Sequence, residues 1–366
     1  MMKVSPDIAN IAPYVPGKPV SELERELGLT GSIKMASNEN PLGASKKALQ
    51  AIHDELGEMQ RYPDGSGYAL KQALSNRWDI PAAQVILGNG SNEIIELLSR
   101  TFILPGDEVI MAKPSFSLYR LMIQSAHGRP VQVPLKNGRH DLVLIEKAVT
   151  SKTRLIFICN PNNPTGTIVL QSEVRSFLSS LPKEILVIFD EAYAEYVGDS
   201  NFPESVQLLK EGASLIMLRT FSKIYGLAGL RIGYGIGHPD VIDYMNRVRQ
   251  PFNTSSPAQQ GALAALSDEA HLKQSQKINR TGKTYLMREF DVLGLSYFPS
   301  EANFIYFNCN AEDDSVGEKI QKALLKKGVI IRHLGGPFLR VTIGLPGENR
   351  RFIKALKEVI EDLSVK

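Results

Sequence analysis

The chain has 366 residues, 43% of them hydrophobic and 22% charged, as is typical of a globular protein, and its 42 basic and 39 acidic residues leave a net charge of +3. This length exceeds one ordinary hydrophobic core, so we expect two domains. The balanced charge without a basic stripe argues against nucleic acid as a partner, and no apolar run approaches the ~20 residues of a membrane span.

Residues 1–30 are predicted to form an N-terminal arm. The stretch Pro13 to Gly17 reads as extended or turned, because each proline disfavours helix before it, and a short helix from Ser21 to Leu27 ends at Gly28. Two polar loops follow, Met35 to Gly43 and Arg61 to Gly67. Taken alone, each is typical of a turn.

Residues 85–103 predict a strand, a glycine turn and a helix. Ser91 or Asn92 is expected to cap the helix, and the free amides at its start suit a phosphate. A dinucleotide site is disfavoured, because the third glycine of that motif is missing and no acidic residue follows a second strand at the expected distance.

From residue 108 onward, apolar strands alternate with helices, which predicts a largely parallel sheet covered on both faces. The strands are Glu108 to Ala112, Pro130 to Pro134, Arg154 to Cys159, Ile185 to Phe189, Ser214 to Leu218 and Ile232 to Ile236. Three polar motifs fall at strand ends, where such sheets bind ligands: Asn160 to Gly166, Asp190 to Tyr193, and Thr220 to Lys223.

Lys223 is the residue on which the functional hypothesis rests. It follows a buried strand, with Ser222 before it and Arg231 eight residues later, and a hydroxyl and a guanidinium are both good phosphate donors. An amine held beside phosphate-binding groups is what an enzyme needs to bind an aldehyde cofactor covalently.

The C-terminal part is predicted to begin with a long helical stretch, about Ser256 to Leu293, that links the two domains. We expect a large domain over 31–255 and a smaller α/β domain over 256–366. Within the smaller domain, Arg332 and Arg340 fall close together in strands, which suggests an anion site. Cys159 and Cys309 lie far apart in apolar stretches, and the N-terminus lacks a signal-peptide core. Both features favour a reduced, cytoplasmic setting.

In this order, the motifs Asn160 to Gly166, Asp190 to Tyr193, Ser222-Lys223, Arg231 and Arg340 resemble the fold type I, pyridoxal-phosphate-dependent aminotransferases over nearly the whole chain. The resemblance implies a large domain with a mostly parallel seven-stranded sheet covered by helices and a smaller α/β domain. It also implies pyridoxal 5'-phosphate as cofactor, and no metal.

The resemblance also implies a role for each matching residue. Lys223 would hold the cofactor and move the proton, Asp190 would face its ring nitrogen, and Tyr193 and Asn163 would donate to its ring oxygen. Asn162 is left as turn structure. The phosphate would be held by Ser222, Arg231 and the amides of Ser91 and Asn92. Phe116 would stack on the ring, although an ordinary core position remains open for it.

The motifs Pro13 to Pro19, Asn38 to Pro41, Arg61 to Asp64 and Gly90 to Glu93 resemble the branch of this family that acts on histidinol phosphate, with 2-oxoglutarate as acceptor and glutamate as product. Tyr14, Asn38, Arg332 and Arg340 would be the candidates to bind substrate. Tyr62 would reach the cofactor phosphate of a neighbouring subunit, which implies a homodimer with shared sites.

Three alternatives stay open from sequence. The same scaffold could transaminate phenylalanine or tyrosine, because an apolar pocket with one arginine would serve both. A phosphothreonine decarboxylase would share the phosphate site. A non-enzymatic cofactor-binding regulator is disfavoured by the intact Lys223 and Asp190 and by the lack of a DNA-binding domain.

Overall fold

The computed structural model describes residues 3–14, 16–309 and 313–363; Val15, within the N-terminal proline motif, lies outside them. The helices are Pro6–Ala9 (α1), Val20–Leu27 (α2), Lys46–Glu55 (α3), Tyr68–Trp78 (α4), Gly90–Phe102 (α5), Leu118–Ser125 (α6), Leu142–Lys147 (α7), Gln171–Ser180 (α8), Ser205–Lys210 (α9), Pro239–Val248 (α10), Ser256–Leu266 (α11), Glu269–Val292 (α12), Val316–Lys326 (α13) and Pro346–Asp362 (α14). The strands are Ile33–Lys34 (β1), Val85–Gly88 (β2), Glu108–Lys113 (β3), Arg129–Pro134 (β4), Thr153–Cys159 (β5), Leu186–Asp190 (β6), Leu215–Thr220 (β7), Gly233–Gly237 (β8), Ser296–Tyr297 (β9), Phe304–Asn308 (β10), Val329–Ile330 (β11), Arg332–His333 (β12) and Phe338–Thr342 (β13).

Seven strands form the central sheet, in the order β2, β8, β7, β6, β5, β3, β4. Strands β7, β6, β5, β3 and β4 pair in parallel, whereas β8 is antiparallel to both of its neighbours. The expected mostly parallel seven-stranded sheet is therefore confirmed. The inner strands are apolar throughout because helices cover both faces.

Alternate residues of each central strand pack into two different hydrophobic clusters. Ile156 and Ile158 of β5 face a cluster that contains side chains from α4, α8 and α11. Leu155 and Phe157 face the opposite cluster, with side chains from α5, α6 and α10. This two-residue alternation is what the pleat of a strand requires when both faces are buried.

The C-terminal part builds a smaller antiparallel sheet in the order β12, β13, β10, β9. Apolar residues of α12, α13 and α14 pack against it in a separate cluster that includes Phe290, Leu324 and Phe352. Strand β1 pairs in parallel with β11, so the N-terminal segment joins this part of the molecule. The domain boundaries at residues 30 and 255 stay a prediction.

The structure corrects three local expectations. The stretch Ser256 to Leu293 is two helices rather than one, because Asp268 caps α12 by accepting from the His271 amide at 3.2 Å. The expected strand Val329 to Arg332 is divided, because its first part pairs with β1 and Arg332 pairs across from Arg340. Neither Ser91 nor Asn92 caps α5, which begins at Gly90 with Asn89 at the cap position.

The turn after Lys223 packs closely against the polar loop near residue 43. Gly226 has φ of +70°, and a Cβ added there would meet the Gly43 carbonyl oxygen at 2.1 Å. Only glycine satisfies both the left-handed backbone and this contact without strain.

We therefore expect Gly226→Ala to lower the free energy of unfolding more than the matched control Gly212→Ala. Gly212 also has a positive φ, +92°, but an added Cβ there has nothing within 4 Å. The control should lose about 1–2 kcal/mol from backbone strain alone. Gly226→Ala should lose about 1–3 kcal/mol more from the steric clash. Denaturant unfolding of both variants measures the difference, and equal losses would contradict the packing argument.

Candidate active site

A cavity of about 250 Å³ lies at the carboxyl ends of β5, β6 and β7. It brings together the sequence-predicted site residues other than Tyr62. These are Tyr14, Asn38, Ser91, Asn92, Phe116, Asn163, Asp190, Tyr193, Ser222, Lys223, Arg231, Arg332 and Arg340. Tyr62 is instead 82% exposed, and its ring stacks on that of Phe252 with 4.8 Å between centroids.

Lys223 projects its amine into this cavity from the loop after β7. The amine donates to the Ser37 carbonyl at 3.2 Å and lies 5.7 Å from the centre of the Tyr193 ring. Removal from bulk water, and to a smaller extent repulsion by Arg340, together lower the pKa of Lys223 to about 8. A large share of the amine is therefore neutral, and thus nucleophilic, near pH 8.

Asp190 ends β6 and is only 3% exposed. Its carboxylate accepts a hydrogen bond from the Tyr119 hydroxyl at 2.7 Å and another from the Ala192 amide at 3.3 Å. Burial raises the pKa of Asp190, and these two donors, together with Lys223, act against that shift. The site therefore holds a desolvated carboxylate whose charge is supported by three neighbours.

Tyr193 is held in place by Asn38. The Asn38 side chain donates to the Tyr193 hydroxyl at 2.9 Å, while its other end accepts from Thr342 at 3.1 Å. Asn38 has φ of +58°, a conformation that asparagine tolerates better than most residues. Its predicted contact with substrate stays a prediction, because the structure shows it supporting Tyr193.

An anion cradle forms where Arg231 meets the start of α5. Its guanidinium donates to the Ser222 hydroxyl at 3.3 Å and lies so close to Gly90 that a Cβ there would stand 2.4 Å from Nη2. Ser91 and Asn92 follow in the first turn of α5. A guanidinium, a hydroxyl and helix-start amides are the kinds of group that can bind a phosphate.

The two predicted arginines of the smaller sheet are direct neighbours, since Arg332 pairs across from Arg340. Arg340 donates to Asn163 Oδ1 at 2.5 Å and to the Ala36 carbonyl at 2.8 Å, and its Nε is buried without a partner among the described residues. The guanidinium of Arg332 lies 5.8 Å from the centre of the Tyr14 ring. The cavity thus has a cationic side that contains two guanidiniums.

Asn162 is structural, as expected. Its side chain donates to Thr165 Oγ1 at 2.9 Å and accepts from the Ser115 hydroxyl at 2.9 Å, which fixes the turn after β5. Phe116 lines the cavity and meets the Tyr119 ring edge-on, with 5.5 Å between centroids.

Two cavity-related residues were missed from sequence. Tyr119 sits at a helical position that is indistinguishable from ordinary core, and only the packing of α6 on the sheet brings its hydroxyl to Asp190. Glu39 also lines the cavity, but in the sequence it lies in a polar loop where no feature distinguishes it from its polar neighbours. The one available signal was its place beside Asn38.

The described residues contain neither a membrane-spanning helix nor a metal-binding cluster of side chains. None of the helices in residues 3–14, 16–309 and 313–363 is both long enough and apolar enough to cross a bilayer. In those same ranges, histidine, cysteine, aspartate and glutamate side chains form no group of three that could hold a metal ion.

The family model described as aminotransferase class I and II matches residues 30–356. The chain belongs to this aminotransferase family. It is 48% identical to the histidinol-phosphate aminotransferase of Moorella thermoacetica, over 96% of the chain and 92% of that protein. It is 49% identical to histidinol-phosphate aminotransferase 1 of Nitrosococcus oceani, over 97% of the chain and 96% of that protein.

A solved structure shares the fold of this aminotransferase. The histidinol-phosphate aminotransferase of Sinorhizobium meliloti, in complex with pyridoxal-5'-phosphate, superimposes with a TM-score of 0.92 at 29% identity and covers 99% of each chain. The expected fold type I architecture and the expected enzyme class are therefore confirmed.

In the cofactor-free enzyme, Arg340→Met should raise the pKa of Lys223 above about 8, because it removes a cation that repels the protonated amine. The pH dependence of Lys223 labelling by an amine-reactive reagent, read by peptide mapping, measures this pKa. Arg332→Met is the matched control: Arg332 is not among the largest causes of the Lys223 shift, so its loss should change the pKa less than the loss of Arg340 does. Equal shifts in the two variants would contradict the assignment.

Proposed function

We propose that the enzyme uses pyridoxal 5'-phosphate to transfer the amino group of histidinol phosphate to 2-oxoglutarate. The products are imidazole acetol phosphate and glutamate, as a step of histidine biosynthesis. The observation that carries the proposal is the pairing of Arg332 with Arg340 on one side of the cavity that contains Lys223. Relatives that share almost half of their residues with this chain bear the corresponding name.

The cavity fits pyridoxal phosphate. When bound, this cofactor supplies an aldehyde that reacts with amines and a ring that withdraws electrons from the substrate's Cα. The half-buried amine of Lys223, with its lowered pKa, suits the aldehyde. The cradle of Ser222, Arg231 and the Ser91 and Asn92 amides suits the phosphate.

The remaining residues orient the ring in this proposal. Asp190 would hold a proton at the ring nitrogen, and the Tyr119 hydroxyl supports the Asp190 carboxylate. Tyr193 would donate to the ring oxygen, and so would the Asn163 amide nitrogen, because the Asn163 amide oxygen already accepts from Arg340. Phe116 would cover one face of the ring.

Lys223 also moves the proton in this proposal. With the cofactor bound, the Lys223 amine would be the group that accepts the proton of the substrate's Cα and gives it back. A pKa of about 8 suits this exchange, because a group that titrates near the working pH can both accept and donate.

The cationic side of the cavity would hold the anionic end of each substrate. Histidinol phosphate carries a phosphate and no carboxylate, and the paired guanidiniums of Arg332 and Arg340 suit a dianion. Tyr14, whose ring lies beside Arg332, would close over that end from the N-terminal arm. The acceptor 2-oxoglutarate would reuse the same two arginines for a carboxylate.

A second candidate is an aromatic amino acid aminotransferase. It is favoured by the aromatic rings of Tyr14, Phe116 and Tyr193 around the cavity, which could hold a phenyl side chain. In that case Arg340 alone would bind the α-carboxylate.

We expect Arg332→Ala to weaken the binding of histidinol phosphate by about ten- to a hundredfold, because one charge-assisted bond to the phosphate is lost. Phenylalanine has no phosphate, so its binding should change little in this variant. Steady-state kinetics with each amino donor, for the wild type, Arg332→Ala and the charge-conserving control Arg332→Lys, measure the effect.

Two outcomes would count against this assignment. Equal weakening of both donors by Arg332→Ala would make Arg332 structural. A wild-type kcat/KM that favours phenylalanine would select the aromatic alternative and overturn the proposed reaction.

We also propose a homodimer with shared active sites. Tyr62 and Phe252 form an exposed aromatic pair, and Leu56, Met59 and Tyr68 lie exposed in nearby sequence, an unusual amount of apolar surface to leave in water. A second copy of the chain would cover this face, and Tyr62 would then reach the partner's cofactor phosphate. The two buried free cysteines, Cys159 and Cys309, support a reduced, cytoplasmic setting for the dimer.

Mixing chains that carry Tyr62→Phe with chains that carry Lys223→Ala tests the shared site. In each mixed dimer one site would contain both defects and the other neither, so activity should rise above that of either parent. Borohydride reduction and peptide mapping of the wild type should place the cofactor label on Lys223. No recovery, with subunit exchange shown by mass spectrometry, would place Tyr62 in its own chain's site.

A further inference from the structure

The cavity contains a carboxylate that the proposed mechanism leaves unused. Glu39 lines it together with Lys223 and the two arginines, and the negative charge of Glu39 raises the pKa of Lys223, against the larger effect of desolvation. The carboxylate therefore acts on the reacting amine. Asp190, the other carboxylate in the cavity lining, is already committed to Tyr119 and the Ala192 amide.

One carboxylate oxygen of Glu39, Oε1, accepts a hydrogen bond from a neighbour, whereas Oε2 has no partner within residues 3–14, 16–309 and 313–363. Lys34 donates to Oε1 at 2.8 Å, which holds the side chain in place while leaving it 45% exposed. Oε2 is thus available to accept a hydrogen bond from an incoming N–H donor. A carboxylate accepts such bonds more strongly than a neutral oxygen does.

The proposed amino donor has three polar groups to place, an amine, a phosphate and an imidazole ring. The amine must meet Lys223, and the phosphate suits Arg332 and Arg340. The imidazole brings one N–H when neutral and two when protonated, so it needs an acceptor. The Ser37 carbonyl and Asn163 Oδ1 already accept bonds from Lys223 and Arg340, respectively.

We infer that Glu39 is the specificity-determining residue for the side chain of the amino donor, accepting a hydrogen bond from the imidazole N–H through Oε2. The inference rests on the proposed function. It assigns the opposite ends of the donor to opposite charges, the phosphate to the paired arginines and the imidazole to Glu39. A phenyl ring cannot make this bond, so Glu39 separates histidinol phosphate from aromatic analogues of the same size.

The same carboxylate has an opposite effect on the acceptor. 2-Oxoglutarate would bring two carboxylates into the cavity that Glu39 lines, and the negative charge of Glu39 would repel them. Removal of the negative charge should therefore weaken the binding of the amino donor and strengthen the binding of 2-oxoglutarate. A merely structural defect would weaken both.

The test compares Glu39→Gln, which keeps the shape of the side chain, with the wild type. The substrates are histidinol phosphate and the phosphate ester of phenylalaninol, in which a phenyl ring replaces the imidazole. We expect KM for histidinol phosphate to rise about tenfold, KM for the phenyl analogue to change less than about twofold, and KM for 2-oxoglutarate to fall. Glu269→Gln, at an exposed helix position paired with Lys273, is the surface control.

Binding without turnover gives a second measurement. Titration calorimetry of histidinol phosphate into cofactor-loaded Lys223→Ala enzyme, with and without Glu39→Gln, should show the same roughly tenfold loss. Equal effects on the two amino donors, or a higher KM for 2-oxoglutarate, would overturn the role of Glu39. A wild-type enzyme inactive on histidinol phosphate would instead overturn the proposed function.

Discussion

Parallel pairing of β5, β6 and β7 is the constraint on which the site depends. Cys159 pairs with Asp190 and Asp190 pairs with Leu218, so the three strands end at one edge of the sheet. The loops that follow them contain Asn163, Tyr193 and Lys223. Neighbouring strands lie about 4.8 Å apart, so short loops after the strands are enough to bring together groups from distant sequence positions.

A buried charge network fixes this edge. Arg219, near the end of β7, binds Glu191 through Nε at 2.9 Å and Glu195 through Nη1 at 3.0 Å, and it lies 5.3 Å from the centre of the Trp78 ring. Glu191 directly follows Asp190. One guanidinium therefore connects the segment after β6 to the strand that leads to Lys223, and loss of Arg219 would leave two carboxylates without their cation.

Much of this arrangement could be predicted from the sequence because its signals are local. Strand ends followed by polar motifs place Asn163, Asp190 and Lys223 together once a parallel sheet is assumed. The rest depends on which residues meet across long stretches of chain. The approach of Arg231 to Gly90, the bond from Tyr119 to Asp190 and the pairing of β1 with β11 leave no periodic pattern in the sequence. These contacts form only when the helices pack against the sheets.

The hydrogen bond from the backbone amide of Asn38 to the Thr342 hydroxyl joins residues that are 304 positions apart in the chain. During synthesis, the residues that will support Tyr193 must wait, without their final partners, until nearly the whole polypeptide has left the ribosome. Contacts so distant in sequence carry a large loop-closure entropy and slow the search for the native state. The complete active site therefore needs the chain up to Thr342, and a shorter nascent chain lacks the partner that supports Asn38.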